Sequence, residues 1–132
     1  MKLNTNMPSP LKSFFKKELQ NARIDFAQNN LQQSWRHLER AHILGQPYPY
    51  HHSLVHWKML LFGIKTKNLR EIIGQIPRLL IGGMLSFFGK IPVGNSGGAN
   101  VPALQPMEIP EELKQIINEA NPKKFHYHNQ TL

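Results

Sequence analysis

Leu11, Phe15, Leu19, Ala22 and Phe26 recur at spacings of four, four, three and four residues. That is the period of one face of an α-helix, and a strand would scatter those five side chains over both of its faces. Ser9 reads as the N-cap of this helix and Pro10 as its first residue, since Pro fits where no backbone donor is needed. Asn29 and Asn30 mark a tight break. Beyond them Leu31, Ser34, Trp35, Leu38, Ala41, His42 and Gly45 fall on one arc of a second helix, with Arg36 and Arg40 opposite. The two helices are expected to form an antiparallel hairpin. Its small and large residues at Ala22, Ser34, Leu38 and Ala41 are spaced as in a tetratricopeptide unit.

Gly45 closes the second helix, and Pro47 and Pro49 predict an extended connection over 46–50, because each Pro holds its predecessor in β or polyproline geometry. A third helix is expected over 51–64 and a polar turn over 65–68. The fourth helix starts near Leu69, with Ile72, Ile73, Ile76 and Leu80 on its inner side and a kink or restart at Pro77. Gly, Pro and Asn crowd residues 91–110, which predicts an irregular strap along the helical body, before a short helix over 111–121. The fold class is all-α: a small antiparallel helical bundle, made of a tetratricopeptide-like hairpin and two further helices, with a Gly/Pro-rich strap and a short terminal helix. At 132 residues the chain is one domain in size. The helical domain is set at 10–121, including a strap at 89–110, between a flexible leader over 1–9 and a flexible tail over 122–132.

Several function classes fall away on composition. There is no Cys, so thiolate metal sites, disulfides and Cys nucleophiles are excluded, leaving His and carboxylate as metal ligands. The net charge of +8 favours anionic partners in general, but the basic residues are spread over several faces without a recognition helix or an aromatic platform, so nucleic acid is not expected. The N-terminus carries no export signal, and the apolar run over 79–88 is too short to span a bilayer, which needs about 20 residues. The protein is read as soluble and cytoplasmic. Burial under the strap is expected for 79–88, with contact at a membrane interface or in a partner's groove as the alternatives. Gly94 to Gly98 has neither the preceding strand nor the GKS or GKT element of a phosphate loop and reads as a turn. No Ser/His/Asp set or catalytic carboxylate pair can be assembled from the spacings.

Histidine carries the remaining signal. Of seven His, five (His37, His42, His51, His52 and His56) fall around one interhelical connection. His42 sits within the apolar arc of the second helix and Glu39 lies three residues back, about 60° away, the helical Glu-x-x-His pair of carboxylate-rich metal bundles. His52 and His56 are one turn apart, a spacing at which two imidazoles can hold one cation, and they share a stripe with Val55, Met59 and Gly63. Packed helices two and three would let Glu39, His42, His52 and His56 converge as ligands for zinc, iron, nickel or copper. His37 and His51 are reserves, and Met59 reads as core filler. His126 and His128 read as part of a disordered tail. A metal-handling role is expected rather than turnover. The alternatives are an interaction module of the tetratricopeptide kind whose histidines are structural, with another protein as partner, and a mononuclear metal enzyme.

Two stretches also carry a resemblance. One runs from Ser34-Trp35-Arg36-His37-Leu38-Glu39-Arg40-Ala41-His42-Ile43-Leu44-Gly45-Gln46 to His52, His56, Trp57 and Met59. The other is Gly89-Lys90-Ile91-Pro92-Val93-Gly94-Asn95-Ser96-Gly97, continuing through Val101-Pro102-Ala103 and Pro106-Met107 to Ile109-Pro110. With these the chain resembles an uncharacterised bacterial family, domain of unknown function 3703, over about residues 12–113. It departs from that pattern at Ser96, where Thr is expected, and at Gly98, where Arg is expected. The resemblance implies no activity, and it implies an association with bacterial metal resistance.

Overall fold

The computed structural model describes residues 6–88 and 92–120, without the side chains of 83, 86 and 87. Residues 1–5 of the expected leader, the expected tail and His126 and His128 lie outside the described residues. Five helices pack as a bundle: α1 (Ser9–Ala27), α2 (Leu31–Gly45), α3 (Pro49–Lys65), α4 (Leu69–Phe87) and α5 (Glu111–Ala120), with no strand among the described residues. α1 packs on α2, α2 on α3 and α3 on α4, while α5 rests on α1 and α2. Packed helices joined by so short a turn as 28–30 are antiparallel neighbours.

The turns are written in the sequence at single positions. Asn29 takes a left-handed φ of 61°, and the Asn30 N–H reaches back to the Asp25 carbonyl at 2.8 Å, a Schellman closure of α1. Lys67, φ 55°, ends α3 in the same way, with the Asn68 N–H donating to Gly63 O. The Asn68 side chain then accepts from the Glu71 N–H at 3.1 Å and caps α4. The core draws Leu11, Phe15 and Ala22 from α1, Leu38, Ala41 and Leu44 from α2, Val55 and Met59 from α3, and Leu113 and Ile117 from α5. Met7, from the stretch read as leader, is buried in it. Ser34 enters the α1–α2 seam by donating to the Ala22 carbonyl at 2.7 Å. On the outside, Arg40 bridges Glu18 at 2.9 Å and Glu112 at 3.1 Å, tying α2 to α1 and α5.

Three expectations need correction. Pro8, not Ser9, is the N-cap of α1, a shift of one residue. The 46–50 connection is not extended throughout. Gln46 has right-handed helical dihedrals, Tyr48 alone of the two caps is extended, and α3 begins at Pro49, whose missing N–H costs nothing in a first turn. α4 continues through Pro77 without the restart that was one of the two alternatives there. Its orientation is the largest departure: Ile73, Ile76 and Leu80 face solvent, Leu80 at 73% exposure, while Glu71, Gln75 and Gly82 are buried. Within the apolar run over 79–88, Ile81, Met84 and Phe88 are exposed as well, while Leu79 and Leu85 are partly buried. The polar stripe of α4 points inward because its hydrogen-bond partners are there.

Candidate metal centre

α2 and α3, turned back on each other at 46–48, bring His42, His52 and His56 to one point inside the bundle. All three are buried, His42 at 1% exposure. Their Nε2 atoms form a nearly equilateral triangle: 3.1 Å from His42 to His56, 3.0 Å from His42 to His52 and 3.0 Å from His52 to His56.

The opposite nitrogens decide what those Nε2 atoms are. His42 Nδ1 lies 2.7 Å from the Asn95 carbonyl oxygen, which can only accept, so the proton of neutral His42 sits on Nδ1. His56 Nδ1 lies 2.7 Å from Gln75 Oε1. The Gln75 amide is oriented by its nitrogen, which donates to Glu71 Oε1 at 2.6 Å and to the Gly97 carbonyl at 2.8 Å, so its oxygen faces His56. Neutral His56 is therefore also an Nδ1–H tautomer. Both rings turn bare Nε2 lone pairs toward each other at 3.1 Å, which is no hydrogen bond between neutral rings. His52 has a backbone hydrogen bond to Gly82 that favours its protonated form.

A proton shared in this triangle is disfavoured. Burial, and then the neighbouring imidazoles, holds His42 well below its ordinary value. Burial and His56 push His52 down to about 3. Burial pushes His56 down to about 4, against the Gln75 hydrogen bond and with Arg78 adding repulsion. The site is thus three neutral imidazoles, with the Nε2 lone pairs of His42 and His56 turned inward, and neutral imidazole is the form in which histidine ligates a metal.

Residues that the sequence reading missed build the surroundings. Gln75, at 0% exposure, and Glu71 form a relay from His56, and Glu71 Oε1 also accepts from the Ala99 N–H at 2.9 Å. Asn95 is held by Nδ2 bonds to the Pro102 and Gln105 carbonyls at 2.9 and 2.8 Å, and its own Oδ1 receives the Gly97 N–H. Gly97 has φ +84°, and a Cβ there would lie 2.6 Å from His42 Cδ2. Gly97→Ala is accordingly expected to cost about 1–3 kcal/mol through the left-handed backbone alone, and to displace the His42 ring. Thermal unfolding beside a zinc titration checks this; an unperturbed variant would show that the loop does not fix the ring.

The remaining candidates sit elsewhere. Glu39 is outside the gathered group; it is half-buried, the Trp35 side chain hydrogen bonds to it, and burial raises its pKa against that bond. His37 pairs with Glu18 at 2.6 Å and Asp25 at 3.4 Å on the α1 side. His51 stacks edge-on against Phe15 with centroids 4.9 Å apart. The segment over 94–98 turns its backbone onto the His42 side of the site, and Gly94 has φ +81°.

The family model described as a protein of unknown function, DUF3703, matches residues 9–117. The chain belongs to DUF3703. Every residue of the histidine site and its surroundings lies inside the DUF3703 match. No curated protein and no solved structure gives a significant match. Among the described residues no helix is long and apolar enough to cross a membrane.

Proposed function

We propose that this DUF3703 protein holds one divalent transition-metal ion on the Nε2 atoms of His42, His52 and His56, and serves metal handling, in homeostasis or resistance, rather than turnover. The observation that carries the reading is the pair of Nδ1–H tautomers. His42 and His56 are locked by Asn95 and Gln75 with unprotonated Nε2 atoms 3.1 Å apart, a repulsive contact that a cation between them turns into two bonds. An ion about 2.05 Å from each nitrogen would see N–M–N angles of about 95°, nearer the face of an octahedron than a tetrahedron. Imidazole donors suit zinc, copper, nickel and iron, and carboxylate-preferring magnesium and calcium are disfavoured.

Elemental analysis of untagged protein purified without chelator tests this. About one transition-metal ion per chain is expected. Protein that is metal-free and also fails to take up zinc, copper, nickel or iron would overturn it.

A second reading is an interaction module of the tetratricopeptide kind in which the histidines are structural. What favours it is the exposed apolar row of Leu69, Ile73, Ile76, Leu80 and Met84 on α4. The same analysis separates the two, because that reading requires a stable protein that takes up no metal. A third reading, a mononuclear metal enzyme, draws on the cavity that adjoins the triad.

A further inference from the structure

The histidine triad opens into a cavity of about 240 Å³. Beyond the three imidazoles its walls are chiefly hydrocarbon: Pro77, Ile81 and Leu85 from α4, and Ala103 and Leu104 from the segment that follows. Water's share of liquid volume is about 30 Å³, so the space corresponds to about eight waters or an organic molecule of about eight non-hydrogen atoms. An apolar cleft of that size, open to solvent along Ile81 and Leu104, suits a small hydrocarbon chain.

We propose that this cavity binds a small organic monoanion, whose anionic donor atom completes the coordination of the ion held by His42, His52 and His56 and whose hydrocarbon body lies along Ile81, Leu85, Ala103 and Leu104. The inference rests on the metal reading above and adds the ligand class to it. Three observations point to that class.

Coordination comes first. Three nitrogens leave at least one position open on any of the four metals, and no fourth His, Asp or Glu joins the group among the described residues. Charge comes second. Neutral imidazoles leave the ion its full double charge, and Arg78 adds a cation on the cavity wall, only partly offset by Glu71. Arg78 also spends both Nη atoms on the Gly74 and Val101 carbonyls, at 2.8 Å each, while its buried Nε has no acceptor; an oxyanion offers one. The apolar walls come third. They offer contact to an apolar body and no partner to a second charged group, so a single anionic head with an apolar body suits these walls.

The test uses full-length protein loaded with cobalt(II), whose visible absorption reports the ligands on the ion. Hexanoate, which matches the cavity in size, is titrated against acetate and hexanamide. Hexanoate is expected to change the spectrum saturably and to bind about a hundredfold tighter than acetate, because several methylenes leave water. Hexanamide, the neutral analogue of the same size, is expected to leave the spectrum unchanged. Ala103→Trp, at an exposed position on the cavity wall, should keep stoichiometric cobalt and lose the hexanoate response. Equal binding of hexanoate and acetate, or an Ala103→Trp protein that responds as the wild type does, would overturn the inference while leaving the metal site standing. Failure to bind cobalt at all would overturn the metal reading, and this inference with it.

Discussion

Replacing His56 by Ala is expected to lower zinc affinity by well over about a hundredfold, whereas replacing its partner Gln75 by Leu should cost between about ten- and a hundredfold. The gradation follows from what each side chain does. His56 supplies one of three Nε2 atoms that meet at 3.0–3.1 Å, so its loss leaves a two-nitrogen site. Gln75 touches no ion in this arrangement. It holds the proton of His56 on Nδ1 through a 2.7 Å bond and is itself aligned by Glu71 and Gly97. Without it, neutral His56 is free to carry its proton on Nε2, the nitrogen the ion needs. Glu39→Ala is the informative control. With its carboxylate engaged by Trp35 and outside the histidine group, the variant should bind zinc within a few-fold of wild type. Competition against a chromophoric chelator measures all three. A Glu39→Ala loss as large as that of His56→Ala would return the carboxylate to the ligand set, and a wild-type affinity in His56→Ala would remove the triad from it.

How much of this was legible in the sequence differs from residue to residue. The stripes of α1, α2 and α3 were readable because apolar periodicity and burial agree there: Leu11, Phe15, Leu38, Val55 and Met59 are all core. The convergence of His42 with His52 and His56 was readable for the same reason, since each lies on the apolar arc of its own helix. Glu39 was placed by spacing alone, and i, i+3 on a helix leaves about 60° of freedom, enough for its side chain to turn to Trp35 one helical turn back. α4 shows the limit more sharply. Its pattern is amphipathic, but periodicity gives two faces without saying which is inside. The face of Ile73, Ile76 and Leu80 was expected inward on hydrophobicity. The stripe of Glu71, Gln75 and Gly82 lies inward instead, because the buried His56 and the backbone at Gly97 and Ala99 require donors and acceptors that only this stripe supplies. A signal was present: Gly82 follows seven residues after Gln75 on that stripe, and a small residue among polar ones marks a close approach, here with His52 Cε1 3.2 Å from where a Cβ would stand. Asn95 and Gly97 could not be placed, for their roles depend on how an irregular segment returns to α2 from more than fifty residues away in sequence.

Acidification is expected to unfold the metal-free protein cooperatively between about pH 6 and pH 4, and zinc should move that transition downward. The sign follows from proton counting. In the unfolded chain His52 and His56 titrate near 6.5, whereas in the folded chain they do so at about 3 and about 4, with His42 also held well below the ordinary value. Burial is the main cause for each, and the neighbouring imidazoles and Arg78 add to it. Burial, Lys12 and Lys16 shift His51 in the same direction. Above about pH 7 neither state is protonated at these sites, and stability is flat with respect to them. Below 6.5 the unfolded state binds more protons than the folded one, so stability falls with falling pH by about 1.4 kcal/mol per unit for each such His, about 3 for His52 and His56 together, and His42 acts in the same direction. Two units of acidification therefore remove about 5 kcal/mol through His52 and His56, which reaches the lower end of the 5–15 kcal/mol that holds an ordinary domain together. Zinc at about a hundred times its dissociation constant adds about 2.7 kcal/mol to the folded state, and against that slope the midpoint should drop by about one pH unit. Far-UV circular dichroism against pH, with chelator and with zinc, reads both effects. His52→Leu supplies the decisive comparison, since it removes one proton-binding group from the unfolded state without introducing a charge into the folded one. If its acid transition is as steep and as high as the wild type's, the buried imidazoles are not what acid attacks; if it is shallower and lower, the same desolvation that keeps the three imidazoles neutral for an ion also sets the pH at which the metal-free fold fails.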